Sequence, residues 1–216
     1  MLAAMDRALR LMHELVAGEE FAEELTKAQA DFFKQVIAPL PGEPIEEFRL
    51  ASFVEWFIFD RQLAATARTP VEEYLRRHAD DLTEEQRLAL TGFARNVHSI
   101  FQVKKKIADA DLLDLYSGKK YRGVKRAPLT LGKGDIADLR LVPVSEEWFA
   151  TDALVFHPYL ARKPILKILK AARKSGEPID PVLITLMAMN TQYERYPKTA
   201  KRNAYEQNSL AKLSRP

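Results

Sequence analysis

The spacing of apolar residues changes near His98, and this change limits the possible folds of the chain more than any other feature. Before it, apolar residues recur every three or four positions, which predicts amphipathic helices. From Ile100 onward, apolar and polar residues alternate over short segments, as in strands. We therefore expect an α+β protein with an N-terminal helical region, a central β unit and C-terminal helices.

Helix boundaries in the first region are marked by capping residues. Thr69, followed by Pro70 and two glutamates, and Thr83, with a glutamine three residues later, have the pattern of helix N-caps. Another helix is predicted from about Pro44 to Asp60. We expect its aromatic residues to be buried in the core, on more than one face of the helix, rather than to form a ligand-binding site. They are Phe48, Phe53, Trp56, Phe57 and Phe59.

Turn signals divide residues 98–157 into five short segments, which predict a small antiparallel barrel or curled sheet. The segment from Ile136 to Val144 alternates in the manner of a half-buried strand. Helices return near Pro158 or Pro164 and again at Asp180, where the second runs to Arg195. We predict an acidic helical region at 1–97, the β unit at 98–157 and a basic helical region at 158–216. From Pro197 the tail is expected to be a marginal helix or disordered.

Composition narrows the class of protein. With 216 residues and 47% hydrophobic residues, the chain is able to build a real core, so a wholly disordered protein is not expected. The absence of cysteine excludes disulfides and thiolate chemistry. Charged residues interrupt the first 15 positions, where a signal peptide would need an uncharged apolar stretch. The longest apolar run, from Val182 to Met189, is far too short to span a bilayer. We expect a cytoplasmic protein without a membrane partner.

Charge is distributed unevenly along the chain, although the net charge is only +3. Residues 1–100 have 11 basic and 18 acidic side chains, a net charge of −7. Residues 101–216 have 22 basic and 12 acidic side chains, a net charge of +10. Such asymmetry bears on binding partners rather than on the fold.

Five motifs occur in an order that resembles a known family. They are EWFIFDR at 55–61, TPVEEYL at 69–75, LTEEQRLAL at 82–90, DLYSGKKYRG at 114–123 and GDIADLRLVPV at 134–144. Together they resemble an uncharacterised bacterial domain found in proteins that also have a SEC-C metal-binding motif. The resemblance covers about residues 45–157 and implies helices followed by a small β unit. It implies no catalytic residue, and the zinc-binding SEC-C motif is not carried over because the chain has no cysteine.

Motifs that indicate catalysis or cofactor binding are missing. The four histidines are scattered outside any metal-binding spacing, and the Gly118-Lys119 pair lacks the other residues of a phosphate loop. Arg122 and Arg126 have the RxxxR spacing of cyclic-dinucleotide-binding PilZ domains, but the second PilZ motif, DxSxxG, does not follow. Glu55 and Asp60 flank the aromatic run, and we expect them to cap a helix end or form a surface ion pair rather than to act in catalysis; a desolvated Asp60–Arg61 pair in a cleft is the alternative. We therefore expect no metal and no cofactor, although a site assembled from distant residues leaves no local motif.

The sequence thus favours a non-enzymatic binding or adaptor protein that contacts RNA or DNA phosphates through its basic half. Tyr116 and Tyr121 place aromatic side chains among the basic residues of the β unit. Two alternatives stay open: a solvated basic face, and internal docking of the acidic helices on it. A protein-interaction module using the N-terminal helices or the 182–195 helix is the second functional hypothesis. The candidate phosphate-binding residues are Lys104, Lys106, Lys119, Lys120, Arg122, Lys125, Arg126, Lys167, Lys170, Arg173 and Lys174.

Overall fold

The computed structural model describes residues 2–128, 130–195 and 204–205. Five α-helices come first: α1 (Leu2–Ala17), α2 (Ala22–Val36), α3 (Glu46–Phe59), α4 (Pro70–Arg77) and α5 (Glu84–Ala94). Five strands follow: β1 (Val97–Lys106), β2 (Ala110–Asp114), β3 (Lys120–Val124), β4 (Ile136–Val144) and β5 (Glu147–His157). The last elements are α6 (Arg162–Ser175) and α7 (Ile179–Arg195). The predicted α+β class is confirmed.

Both predicted N-caps are present as capping boxes. The Thr69 hydroxyl accepts a hydrogen bond from the Glu72 amide, and the Glu72 carboxylate accepts one from the Thr69 amide. Thr83 and Gln86 make the same reciprocal pair at the start of α5. Each box satisfies backbone donors that a helix start otherwise leaves without partners.

The five strands form one antiparallel sheet in the order β3-β2-β1-β4-β5. Each predicted strand overlaps an observed one. The sheet is not closed, so the expected barrel is not supported. Backbone hydrogen bonds of Lys125 with Trp148 and Ala150, and contacts of the Arg126 side chain with Ala150 and Asp152, join the chain after β3 to the opposite edge strand, β5.

The helical region and the sheet share one hydrophobic core. Met5, Phe32, Phe57 and Phe93 from the helices pack in the same cluster as Phe149 from β5. The predicted boundary at residue 97 is therefore a change of secondary structure within a continuous core. Of the predicted aromatic set, Phe48 is an exception because it is 49% exposed.

β4 is buried on both faces, and the prediction of a half-buried strand is wrong. Ala137, Leu139 and Leu141 pack in a cluster with residues of β1, β2 and β3. On the opposite face, Asp138 and Arg140 are each only 2% exposed, because α3 and α7 cover this side of the sheet. The alternation in β4 thus separates an apolar buried face from a charged buried face.

α7 lies inside the protein rather than on its surface. Its apolar residues, among them Leu183, Leu186 and Met189, pack against α6 and β1, and Met187 reaches the core shared with the first helices. This placement corrects the expectation that the 182–195 helix is a docking surface for a partner. The prediction for the tail from Pro197 falls outside the described residues, apart from Ala204 and Tyr205, which are buried.

Candidate functional sites

One face of α6 is a row of lysines, which we call the lysine stripe: Lys163, Lys167, Lys170 and Lys174. Intervals of four, three and four residues place these side chains above one another on a helix. All four are exposed, whereas Ile165 and Leu169 on the other side are buried. α6 contains no acidic residue, and none of the four lysines has an ion pair among the described residues.

The ends of α6 extend this basic surface. At the C-terminal end, Arg173 is exposed in the last turn, where the helix dipole favours cations. Gly176 ends the helix in the left-handed conformation, with φ of 72°. Before the N-terminal end, Tyr159 is 83% exposed in a short 3₁₀ turn four residues from Lys163. The stripe therefore begins beside an aromatic ring that is open to solvent.

The turn between β2 and β3 contacts the C-terminal end of α6. Asp114 organises this turn, because its Oδ1 accepts hydrogen bonds from the Tyr116 amide at 2.8 Å and the Ser117 amide at 3.1 Å. The Tyr116 hydroxyl then donates to the Glu177 carbonyl at 2.5 Å, just after α6. This contact joins the predicted basic hairpin to the predicted basic helix.

Three cations of the hairpin are exposed. The Lys119 ammonium lies 4.9 Å from the centre of the Tyr121 ring and 5.3 Å from that of Trp148. Lys120 and Arg122 project from β3, which is an edge strand, and charged side chains there also prevent pairing with another sheet. The predicted aromatic platforms are wrong: Tyr121 is 3% exposed, and Tyr116 packs against the α6–α7 cluster.

Other candidate cations are already engaged inside the protein. Lys125 pairs with Asp109 at 2.6 Å, and Lys106 donates to the Pro128 carbonyl. Burial lowers the pKa of Lys106. Lys104 stays exposed and donates to the Gln102 side chain at 3.2 Å.

The ion pairs of Arg126 indicate that α1, from the acidic region, packs against the basic part of the chain. It pairs with Asp6 of α1 at 3.0 Å and with Asp152 at 2.8 Å. These carboxylates neutralise the second arginine of the RxxxR motif, so Arg126 is not a free anion-binding group. Most of the predicted phosphate-binding residues are exposed to solvent. They are Lys104, the hairpin residues Lys119, Lys120 and Arg122, and the α6 residues Lys167, Lys170, Arg173 and Lys174.

A second candidate site is a cavity of about 170 Å³ between the charged face of the sheet and the helices α3 and α7. Its polar lining includes Glu55, Asp60, His98, Asp138 and Arg140. These residues lie on three separate segments of the chain: α3 with its C-cap, β1 and β4. They meet because the start of β1 pairs with the middle of β4 in antiparallel orientation, with His98 opposite Arg140.

Arg140 is the centre of this charged cluster. It makes a bidentate pair with Asp60, at 3.0 and 2.5 Å, and also donates to Asn96. Its Nε lies 3.6 Å from the Glu55 carboxylate. The predicted Asp60–Arg61 pair is wrong, since Asp60 binds Arg140 and Arg61 pairs with Asp31.

Glu55 is fully buried on α3 and joins the helix to β5. Its carboxylate accepts hydrogen bonds from the Thr151 hydroxyl at 2.7 Å and from the Ala153 amide at 2.9 Å. Burial raises the pKa of Glu55, and this effect outweighs the nearby charge of Arg140, which lowers it.

His98 and Asp138 form a hydrogen-bonded pair at the same cluster. His98 Nε2 donates to Asp138 Oδ1 at 2.6 Å, and His98 Nδ1 accepts from Arg140 at 3.3 Å. Burial by itself lowers the pKa of His98, but the carboxylates of Asp138 and Asp60 outweigh it and the net pKa is raised. The second oxygen of Asp138, Oδ2, is buried without a hydrogen-bond partner in the described part of the chain.

Sequence reasoning missed this cavity because its members are far apart along the chain. Two signals were visible: polar residues alternate in a strand that is otherwise apolar, and two carboxylates flank the aromatic helix. Neither signal says that the two sets meet. Among the described residues, no group of three or more His, Asp or Glu side chains is placed to hold a metal ion.

A scan against protein-family models finds no match, and comparisons with curated proteins and with solved structures find none either. The resemblance to the SEC-C-associated bacterial domain therefore stays a prediction. None of the helices in the described ranges is both long enough and apolar enough to cross a membrane.

Proposed function

We propose that the protein binds RNA or DNA through phosphate contacts made by the lysine stripe of α6. The observation that carries the proposal is the grouping of four exposed lysines on one helix face without a compensating carboxylate on that helix. The eleven residue steps from Lys163 to Lys174 span about 16 Å along the helix, so one strand of nucleic acid is able to contact several of these ammonium groups at once.

An exposed aromatic ring favours a single-stranded ligand over a duplex. Tyr159 stands at the start of the stripe with 83% of its surface exposed, and an unpaired base is able to stack on such a ring. A solvated basic face explains the lysines but gives no role to this ring. Arg173 and the hairpin cations Lys119 and Lys120 supply further phosphate contacts at the opposite end of α6.

The first experiment is a titration of a fluorescently labelled single-stranded RNA, followed by anisotropy at several salt concentrations. We compare the wild type with a variant in which the four lysines of the stripe are changed to glutamine. Each lost phosphate contact reduces the salt slope by about 0.7 for a single strand, so the variant should lose up to about 3 units of slope.

The matched control removes four exposed lysines from other elements, namely Lys27, Lys34, Lys105 and Lys133. It has the same net charge as the stripe variant. We expect it to bind RNA with nearly the wild-type slope. Equal losses in the two variants, or no RNA binding by the wild type at low salt, would reject the proposal.

Replacement of Tyr159 by alanine tests the preference for a single strand. Loss of one stacked base costs about 1–3 kcal/mol, so RNA affinity should fall at least about fivefold. Affinity for a duplex should change little. If the variant loses duplex and single-strand affinity equally, or binds anionic phospholipid vesicles as tightly as RNA, the stacking role is wrong.

The second functional hypothesis, protein interaction through the acidic N-terminal helices, is tested on the same samples. Light scattering after size-exclusion chromatography measures the mass of the protein alone. Self-association that persists in the stripe variant and is lost when exposed glutamates of α5, Glu84 and Glu85, are changed to glutamine would favour this hypothesis.

A further inference from the structure

The polar lining of the cavity beside Arg140 consists mainly of carboxyl groups, and one carboxylate oxygen, Asp138 Oδ2, has no hydrogen-bond partner in the described ranges. The carboxyl groups of Glu55, Asp60, Asp138 and Asp180 line it, against the imidazole of His98 and the guanidinium of Arg140. The lining thus has more negative than positive groups, whether or not His98 is protonated. This balance favours a cationic ligand.

The donors of Arg140 are directed to protein acceptors. Both of its terminal nitrogens donate to Asp60, one of them also to Asn96 and the other to His98. Its Nε has no hydrogen-bond partner among the residues that the structure describes and lies 3.6 Å from the Glu55 carboxylate. An anion would have to displace these carboxylates, so the cavity is not built for phosphate or sulfate.

Asp138 supplies the acceptor that a ligand needs. Its side chain is 3% exposed and lines the cavity, and Oδ2 has no hydrogen-bond partner in the described ranges. A buried carboxylate oxygen without a donor is costly, because desolvation is not repaid by a hydrogen bond. A ligand N–H group that donates a hydrogen bond to Oδ2 would offset this desolvation penalty.

The rest of the lining is apolar and aromatic. Phe32 and Trp56 lie side by side, with ring centres 5.2 Å apart, and Val155, Leu183 and Met187 complete the wall. A volume of about 170 Å³ is similar to cavities that hold one benzene molecule. The ligand therefore has about six to eight non-hydrogen atoms.

We propose that this cavity binds a small organic cation, a protonated primary amine attached to a compact apolar or aromatic group. The ammonium group donates to Asp138, and the apolar group lies against Phe32 and Trp56, where the ring faces also attract positive charge. Among the polar lining residues, His98 and Asp60 are partly open to solvent, with side chains 20% and 29% exposed. Asp180, exposed at the start of α7, adds negative charge there.

Benzylammonium is the probe, and benzyl alcohol and benzoate are the comparisons. The three share one ring, but the first is a cation, the second is neutral and the third is an anion. Calorimetry measures affinity, and two-dimensional NMR shows which residues respond. We expect saturable binding of benzylammonium in the millimolar range or tighter, at least tenfold weaker binding of the alcohol and none of benzoate.

The variant Asp138→Asn keeps the shape of the side chain but removes its charge, and should weaken benzylammonium binding at least tenfold. Asp152→Asn removes an exposed carboxylate outside the cavity and should leave binding unchanged. If Asp138→Asn does not fold, Ala153→Leu, which fills the cavity from β5, should abolish binding instead. Equal affinity for amine and alcohol, no saturable binding of benzylammonium, or equal losses in the two aspartate variants would overturn the proposal. Since these measurements contain no nucleic acid, their failure leaves the proposed function of α6 unaffected.

Discussion

Arg140 shows how a single side chain holds two regions of the protein together. The guanidinium group is 2% exposed and lies between Asp60 and Glu55 of the helical region, while its backbone belongs to β4. It also lies 4.9 Å from the centre of the Phe59 ring. Removing one member of a buried ion cluster leaves the other charges without a partner, which costs more than the original cluster gained.

Replacement of Arg140 by methionine is therefore expected to destabilise the fold by about 3–5 kcal/mol, measured by urea unfolding. Arg7→Met is the control, because Arg7 and its partner Glu85 have side chains that are 59% and 62% exposed. An exposed pair contributes at most about 1 kcal/mol. Similar losses in the two variants would contradict the importance of burial at Arg140.

The lowered pKa of the buried His157 side chain predicts that the stability of the fold depends on pH. Burial lowers its pKa to about 4, more than the nearby carboxylate of Asp138 raises it, and Arg49 lowers it further. The ring is held neutral beside the Tyr205 hydroxyl, 2.8 Å from Nδ1. Because the unfolded state binds the proton more readily, this neutral histidine stabilises the fold above about pH 6.5 and loses that effect between about pH 6.5 and 4.

The expected loss is about 3 kcal/mol over this range, from the size of the shift. We compare the free energy of unfolding of the wild type with that of His157→Gln, which has no proton to gain. The difference between the two proteins should shrink or reverse on acidification from pH 7 to 4. His78→Gln is the control, and a pH dependence equal to that of His157→Gln would show that the buried site is not responsible.

At the scale of the element, a glycine allows α5 to pack closely against β4. Gly92 lies within the helix, where glycine usually weakens helical structure. A Cβ atom at this position would lie 2.2 Å from the Pro143 carbonyl of β4. The lack of a side chain therefore lets the helix approach the strand closely.

Gly92→Ala should lower stability by about 1–3 kcal/mol, although alanine is the better helix former. Thermal unfolding measures the change. Gly132→Ala is the control, because an added Cβ there meets only the Asp135 side chain at 3.6 Å. A more stable Gly92→Ala protein would mean that helix propensity outweighs this contact.

At the scale of the whole molecule, helices and sheet form a continuous core. Val142 and Phe149 of the sheet belong to the cluster of the first helices, while the opposite face of the sheet has its own cluster. The ion pairs of Arg126 with Asp6 and of Arg140 with Asp60 cross the same boundary. Such extensive contact predicts cooperative unfolding.

The two tryptophans test this prediction, since Trp56 lies in the helical region and Trp148 in the sheet. Fluorescence of Trp148→Phe reports on Trp56, and fluorescence of Trp56→Phe reports on Trp148. Within each variant, the urea midpoint from fluorescence should coincide with the midpoint from circular dichroism. Separate midpoints would show that the two regions unfold independently.

Local features of the chain could be predicted from sequence alone. The capping boxes at Thr69 and Thr83, the turn at Ser117 and the lysine stripe depend on residues within a few positions of one another. Their geometry follows from backbone hydrogen bonding and helical periodicity, and these interactions are present in any fold that contains the segment.

The tertiary structure alone decided which charges are buried and which are free. The partners Asp60 and Arg140 are 80 residues apart, and Asp6 and Arg126 are 120 apart, so no local pattern relates them. Packing of α3 and α7 over the sheet removes water from the first pair and turns an ordinary polar alternation in β4 into a buried charged cavity. Charged residues can be identified from the sequence, but their effect on stability depends on the solvent exposure and the partners that only the folded structure provides.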